Sequence, residues 1–298
     1  MAQEEKRLSD TRGNKAGIRF FQIFLKLFGF THTRIMVWII TFFYALFDRS
    51  ARKKVLPYVK HRFPECGKIM EFYHIWAIFA AQGCTLVLQE IYRQTGGMIE
   101  VIYEDEESRK IRYSTDGFVV LYSHFGPWQA SMFNIDVSQN RLNVMAQQDV
   151  NANINKMGVL HRDPRMEKIT MVPAGPGSLT YLQGALNEHE NVAIMGDRCH
   201  ETNPVKVEFL GAPAYFPVAG FYLAARAGSP LLSMFAVWNG KSQTFKMELG
   251  TAMYPQMNGR DRNSLIPYIQ QYVKKLEMLC MKYPHQCFLL ENVWEEKL

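Results

Sequence analysis

The chain has few cysteines, and their spacing fits neither a metal site nor a redox pair. There are five, an odd number, and no two of them form a C-x-x-C pattern. Disulfide frameworks are typical of small secreted domains, whereas this chain has 298 residues. We therefore expect reduced thiols that mostly fill the core, and no bound metal.

We expect no secretory signal in the N-terminal region, and its longest uninterrupted apolar run is too short to cross a membrane. Residues 1–15 are polar, and the longest uncharged stretch, 35–47, has 13 residues, whereas a spanning helix needs about 20. Lys26, His32 and Arg34 interrupt the apolar sequence before it. Three arrangements stay open: a helix in the membrane interface, a tilted single span, and a soluble hydrophobic helix.

Positive charge is scarce outside the N-terminal region. Residues 1–62 hold 13 Lys and Arg against 4 Asp and Glu, a net charge of +9, and the other 236 residues carry −3. A nucleic-acid-binding domain would spread its basic residues over the fold, so we expect no nucleic-acid partner. Because both flanks of the apolar segment are basic, the pattern favours an anionic membrane surface over a span that puts one flank outside.

From residue 99 onward, short β-rich runs alternate with helical segments. This alternation predicts an α/β fold, a mostly parallel sheet with crossover helices. We divide the chain into a membrane-associating helical segment, 1–50, and an α/β domain, 51–298, on which residues 51–97 pack as a helical hairpin. The expected strands are 118–122, 142–146, 169–172, 192–195, 207–210, 230–237 and 244–249, and the expected helices are 50–62, 68–94, 151–160, 178–188, 217–227, 263–282 and one from 127.

A histidine stands where one buried strand ends, in the sequence VVLYSHFGPWQA, 119–130. In open α/β sheets, ligands bind at the carboxyl ends of the strands. Gly126 permits a tight turn after His124, and Pro127 suits the first position of a helix. Gln129 then lies in the first helical turn, where its side chain could orient the imidazole and leave the other ring nitrogen to take a proton. The alternative is a histidine that only caps the strand.

Two later segments could contribute to the same site. The sequence NVAIMGDRCH, 191–200, is an apolar strand that ends in Asp197 and Arg198, which could form either a site or a paired turn. The segment 207–232 opens with a β-like run and continues as a helix of small residues, which suits an apolar ligand and core packing equally well. No Ser or Cys lies in a nucleophile elbow, so we expect no covalent acyl-enzyme.

In this order, the segments resemble the late lipid A acyltransferases of bacteria and their relatives in the lysophospholipid acyltransferase superfamily. That family has a basic apolar N-terminal segment, a His-x4-Asp/Glu motif, a strand ending in an Asp-containing turn, and a segment of the form FLG-x-P-A-x-F-P. Here these elements are residues 12–47, 124–129, 194–198 and 209–217, the last reading FLGAPAYFP. FDRSARKKV, 47–55, also resembles the stretch after the family's membrane segment. The likeness covers nearly the whole chain, and FLGAPAYFP is its most specific part.

The resemblance implies an O- or N-acyltransferase at the cytoplasmic face of the bacterial inner membrane, monotopic or single-pass. Its donor would be an acyl carrier protein or coenzyme A thioester. Its acceptor would be a hydroxyl or amine of a membrane lipid of the lipid A, aminoacyl-lipid or lysophospholipid type. No cofactor or metal would be needed. His124 would be the general base, and Arg198 could hold an oxyanion or a phosphate. The substrate-binding residues would be Asp197, Arg198, Phe209, Gly211, Phe216 and Pro217.

The chain departs from the family pattern at Gln129, where the motif has Asp or Glu. An amide can orient the ring but supplies no charge for the imidazolium. A slower enzyme, a more reactive acceptor such as an amine, or a carboxylate from elsewhere, with Asp197 as one candidate, would each reconcile this difference. A catalytically impaired lipid-binding protein of the same fold and a membrane scaffold are the alternatives to an enzyme.

Overall fold

Three helices form the N-terminal part of the chain. The computed structural model describes residues 15–96, 99–131, 140–146, 167–198 and 204–295. Helix α1 is Lys15–Phe47, α2 is Arg49–Arg62 and α3 is Lys68–Thr95. Gly29 has φ 72° and kinks α1, and the Asp48 side chain begins α2 by accepting a hydrogen bond from the Ala51 N–H at 2.9 Å.

Helix α1 packs along α3 with one face and leaves the other face exposed. The indole rings of Trp38 and Trp76 meet edge to face at 5.1 Å, and the Trp76 Nε1–H donates to the Trp38 carbonyl. Both helices are long and apolar enough to cross a membrane, but the apolar stretch of α3 is 56% buried in protein and that of α1 only 17%. The exposed face of α1 is compatible with membrane association, and an interfacial helix and a tilted span both fit it.

The α/β part is built on one seven-stranded sheet with the order β1-β9-β8-β2-β5-β3-β4. Every neighbouring pair is parallel except β8 and β9, so the predicted mostly parallel α/β fold is confirmed. The strands of this sheet are β1 Glu100–Tyr103, β2 Val119–Tyr122, β3 Leu142–Ala146, β4 Ile169–Pro173, β5 Asn191–Met195, β8 Leu231–Trp238 and β9 Phe245–Leu249. The helices are α4 Glu106–Arg112, α5 Trp128–Ser131, α6 Ser178–Asn187, α7 Ala219–Ala227 and α8 Ile266–Lys282, the last preceded by a 3-10 turn at Arg262–Leu265.

The central strand β2 is buried on both faces, as a parallel strand between two helical layers must be. Val119 and Leu121 pack into the core that contains α7 and α8. Val120 and Tyr122 pack into the second core, against α3. This burial places the end of β2, and the histidine after it, in the middle of the sheet edge.

Several segments differ from the sequence prediction. Strand β1 and helix α4 were not expected, because the charged stretch around them masks the alternation of an edge strand. The run at 207–210 does not belong to the main sheet: β6, Val205–Phe209, and β7, Ala212–Phe216, form a separate antiparallel hairpin. Leu210 and Gly211 turn it with φ of 51° and 76°. The helix predicted at 151–160 lies outside the described residues.

Candidate active site

The strand register brings His124 and Asp197 side by side. Strands β2 and β5 are parallel neighbours, and Tyr122 is paired with Met195. Two residues beyond this pair lie His124, after the end of β2, and Asp197, after the end of β5. Two strand-end motifs that are 73 residues apart in the sequence therefore form a single site at the carboxyl edge of the sheet.

The Asp197 carboxylate fixes both the ring and the backbone of His124. Its Oδ1 atom lies 2.9 Å from His124 Nδ1, and its Oδ2 atom accepts the His124 backbone N–H at 2.6 Å. A carboxylate on Nδ1 favours the tautomer that carries its proton there, which leaves a lone pair on Nε2. The His124 side chain is 15% exposed and that of Asp197 only 1%, so the imidazole can meet a substrate while the carboxylate stays behind it.

The expected contact between Gln129 and His124 is not formed. Among the described residues no hydrogen bond joins the two side chains, and the carboxylate of Asp197 holds His124 Nδ1 instead. The His124 ring instead packs edge to face on Trp128, the first residue of α5, with ring centroids 5.0 Å apart. The acceptor at Nδ1 is thus a carboxylate from the turn after β5, and a catalytic role for Gln129 stays a prediction.

Burial and neighbouring charges keep His124 neutral and Asp197 ionised. Burial and the positive charge of Arg198 lower the pKa of His124, and Asp197 only partly opposes them. Burial alone would raise the pKa of Asp197, but His124, its hydrogen bonds and Arg198 outweigh it, so the pKa of Asp197 lies below its usual value. A neutral imidazole held by a carboxylate is the state that a general base requires before reaction.

A segment near the C-terminus supports the loop that carries His124. The Gly126 N–H donates to the Gln286 carbonyl at 2.8 Å, and the Phe288 N–H donates to the His124 carbonyl at 2.8 Å. Gly126 has φ 55°, and a Cβ atom there would lie 2.0 Å from the Ala236 carbonyl oxygen, so only glycine fits. This role of residues 286–288 was not predicted from the sequence, where the only signal was the short apolar run 287–290 after Gln286.

Arg198 carries a hydrogen-bond donor that has no partner among the described residues. Its guanidinium donates to the Phe288 carbonyl, but its buried Nε atom has no hydrogen-bond partner in the described part of the chain. Glu291 is close enough for its charge to raise the pKa of both His124 and Arg198. A buried cationic donor next to a neutral base suits an oxyanion or a phosphate oxygen.

The other predicted substrate residues lie in the β6–β7 hairpin and the turn after it. Phe209 and Phe216 are fully buried, and Phe209 stacks on Trp294 with ring centroids 5.6 Å apart. Gly211 makes the hairpin turn, and the buried Pro217 precedes α7. The described contacts of these residues hold the hairpin on the body and do not reach His124, so a substrate role for them stays a prediction.

Thiols and carboxylates do not assemble into a metal centre in the described residues. No group of three or more His, Cys, Asp or Glu that could hold a metal ion is present there. Cys84, Cys280 and Cys287 are buried and Cys66 is half-buried, each as a free thiol, which fits the expected role in the core.

The comparison with protein families agrees with the resemblance seen in the sequence. A model of the bacterial lipid A biosynthesis acyltransferases matches residues 84–296, a range that includes His124, Asp197 and the β6–β7 hairpin. No curated protein matches the chain. Because the family model covers well over half of its length, the chain belongs to the family of bacterial lipid A biosynthesis acyltransferases.

Proposed function

We propose that this protein moves a fatty acyl chain from a thioester to a hydroxyl or amine of a membrane lipid, with His124 as general base and Asp197 as the group that orients it. The observation that carries the proposal is the hydrogen bond between His124 Nδ1 and Asp197 Oδ1, 2.9 Å long, at the carboxyl edge of the sheet. Within an acyltransferase family, this pair has the geometry of a base that is ready to accept a proton at Nε2.

In this reaction His124 Nε2 removes the proton of the acceptor as its oxygen or nitrogen attacks the thioester carbonyl carbon. The tetrahedral oxyanion that forms is stabilised by the Arg198 guanidinium. The carbon–sulfur bond then breaks, and the imidazolium returns the proton to the leaving thiolate. Base catalysis of this kind contributes about 10²–10⁴ in rate, and the Asp197 carboxylate stabilises the positive imidazolium.

The family suggests the donor and the cellular location that we include in the proposal. The donor is an acyl carrier protein or coenzyme A thioester, and the protein acts at the cytoplasmic face of the bacterial inner membrane. The exposed apolar face of α1 and the basic N-terminal region support this location. Comparing the lipids of cells with and without the gene by mass spectrometry would identify the acceptor as a species that lacks one acyl chain.

The direct test measures acyl transfer by the purified full-length protein, with labelled long-chain thioesters and a bacterial lipid extract. We expect His124→Ala to abolish transfer. Asp197→Asn should lower turnover by about 10⁴, as the same change does in a Ser-His-Asp triad, where it leaves the histidine in the wrong tautomer. His189→Ala is the matched control, because His189 pairs with Asp116 at 3.4 Å on the exposed surface and should leave the rate unchanged.

Two results would change the proposal. Wild-type transfer by a folded His124→Ala protein would place the base elsewhere. If no long-chain thioester reacts, even with Gln129→Glu, a catalytically impaired lipid-binding protein would replace the enzyme. Thermal melting of each variant separates loss of the fold from loss of chemistry.

A further inference from the structure

A groove separate from the residues around His124 lies between α1, α3 and the turn that joins β8 to β9. Its volume is about 690 Å³, within the range of sites that hold a drug-sized ligand. Trp38, Phe42 and Phe43 of α1 and Trp76 of α3 form the apolar walls. The charged lining residues are Arg34 and Lys241, and no acidic residue lines the groove.

The two cationic residues are neighbours in the groove lining, because the Arg34 Nη1 atom lies 3.5 Å from the Lys241 carbonyl oxygen. The Arg34 guanidinium is fixed by a hydrogen bond from its Nη1 atom to the Gly240 carbonyl at 2.8 Å. Lys241 follows that glycine, its side chain is exposed, and no ion pair involves it among the described residues. A fixed guanidinium beside an exposed ammonium is a suitable arrangement for a phosphate oxygen.

The rest of the groove suits a hydrocarbon chain. The Trp76 ring lies 5.1 Å from the Trp38 ring and 5.2 Å from the Phe42 ring, centroid to centroid. Phe43 is exposed and joins the groove to the apolar outer face of α1. A lipid in the surrounding bilayer could therefore enter from the side, with its headgroup at the cationic end.

The groove also opens on the functional side of the molecule. Strand β8 runs parallel to β2, so the turn after β8 lies at the same edge of the sheet as His124. A lipid held there would present this edge to the membrane surface.

We propose that the groove binds one anionic phospholipid of the bilayer, with its phosphate between Arg34 and Lys241 and one acyl chain against Trp38, Phe42 and Trp76. The charge of the two cations and the continuity with the exposed face of α1 select this occupant. The lipid is a resident anchor rather than the acyl acceptor. It sets the depth and orientation of α1, which goes beyond the proposed acyl transfer.

Native mass spectrometry of the full-length protein in a mild detergent tests the proposal. With phosphatidylglycerol and phosphatidylcholine at equal concentration, we expect one phosphatidylglycerol molecule per chain. Lys241→Glu should weaken the binding of phosphatidylglycerol about tenfold or more and lower its occupancy, since the variant replaces a cation beside the phosphate with an anion. Lys274→Glu makes the same charge change at an exposed position of α8 and should leave the occupancy unchanged.

Four results would overturn the proposal: equal retention of the two lipids, unchanged occupancy in Lys241→Glu, a dimer that covers the groove, or displacement of phosphatidylglycerol by the acyl acceptor. The same measurement on His124→Ala keeps this outcome independent of acyl transfer, because lipid occupancy should persist without turnover.

Discussion

At the scale of single residues, the question is which acceptor holds His124 Nδ1. The family motif places a carboxylate five positions after the histidine, and this chain has an amide there, Gln129. The neighbouring strand supplies the carboxylate instead, because Asp197 lies in register beside His124 and accepts its Nδ1–H. Asp197 thus places a negative charge beside His124, although the residue at the motif position, Gln129, carries none.

This arrangement predicts how Gln129 variants respond to pH. Burial and Arg198 lower the pKa of His124, and the proposed general base must be neutral, so we expect the rate to rise as pH passes upward through that pKa. A second carboxylate in Gln129→Glu favours the imidazolium and raises the pKa. The acidic limb of the kcat/KM profile should then move to higher pH, with activity at its plateau kept or increased.

Gln129→Ala is the companion variant, and we expect a loss of less than tenfold with no shift of the limb. A loss as large as that of Asp197→Asn would show that the amide, and not Asp197, orients the ring. A shift of the limb to lower pH in Gln129→Glu would contradict the electrostatic argument.

The loop geometry at Gly126 predicts a large effect from one methyl group. With φ 55° and the Ala236 carbonyl 2.0 Å from a built Cβ atom, Gly126→Ala must displace backbone. We expect the free energy of unfolding to fall by about 2–3 kcal/mol, together with activity. Gly175→Ala, where a Cβ meets nothing within 4 Å, is the control in the same thermal melts. An unchanged melting temperature for Gly126→Ala would show that the loop relaxes freely.

At the scale of secondary-structure elements, α1 has one face that packs on the protein and one that is exposed. Its inner face packs on α3, and its outer face exposes large apolar side chains, including Ile23, Leu27, Ile40 and Phe47. Deleting residues 1–47 would remove both faces of α1 together and expose the surface of α3 that α1 covers. Substitutions on the outer face therefore test membrane attachment more cleanly than a truncation does.

We expect 1 M salt to release only part of the protein from membranes. Salt screens the basic flanks, but burial of the apolar face persists. Leu27→Glu combined with Phe47→Glu should increase the released fraction severalfold in sedimentation assays. Met278→Glu combined with Met281→Glu alters exposed methionines of α8 and serves as the control. Complete release of the wild-type protein by salt alone would show that charge, without insertion, holds it on the membrane.

At the scale of the whole molecule, His285 joins α3 to the segment that supports the His124 loop. Its Nε2 atom lies 2.9 Å from His74 Nδ1, and the supporting residues 286–288 follow it directly. Burial, His74 and Arg62 lower the pKa of His285 to about 4. The folded protein therefore keeps this ring neutral at pH values where the unfolded chain protonates it.

Stability should consequently fall as pH drops below about 6.5, the ordinary histidine pKa, and this contribution should level off below pH 4. From pH 7 to pH 5 we expect His285 to contribute a loss of about 1 kcal/mol, discounted for its partial exposure. His285→Gln should flatten the dependence of the melting temperature on pH, whereas His189→Gln, on the exposed surface, should not. An equally steep dependence in His285→Gln would contradict this assignment.

The local pattern of the sequence was enough to predict much of this protein. Short continuous apolar runs indicate β2 and the buried strands around it, and the basic apolar N-terminus indicates a helix that could associate with a membrane. His124 and Asp197 could each be recognised as polar residues just after an apolar strand, because that signal lies within about ten neighbouring residues. The family motifs pointed to the acyltransferase class, which the family comparison confirms.

Strand order was decided only by the tertiary structure. Periodicity shows that β2 and β5 are buried strands, but their pairing depends on how all the helices and strands bury their apolar faces together. That pairing makes Asp197 the partner of His124. Long-range packing also brings residues 286–288 to the loop that carries His124. It keeps the β6–β7 hairpin separate from the main sheet. Such contacts join residues that are far apart in sequence, so no local pattern could encode them.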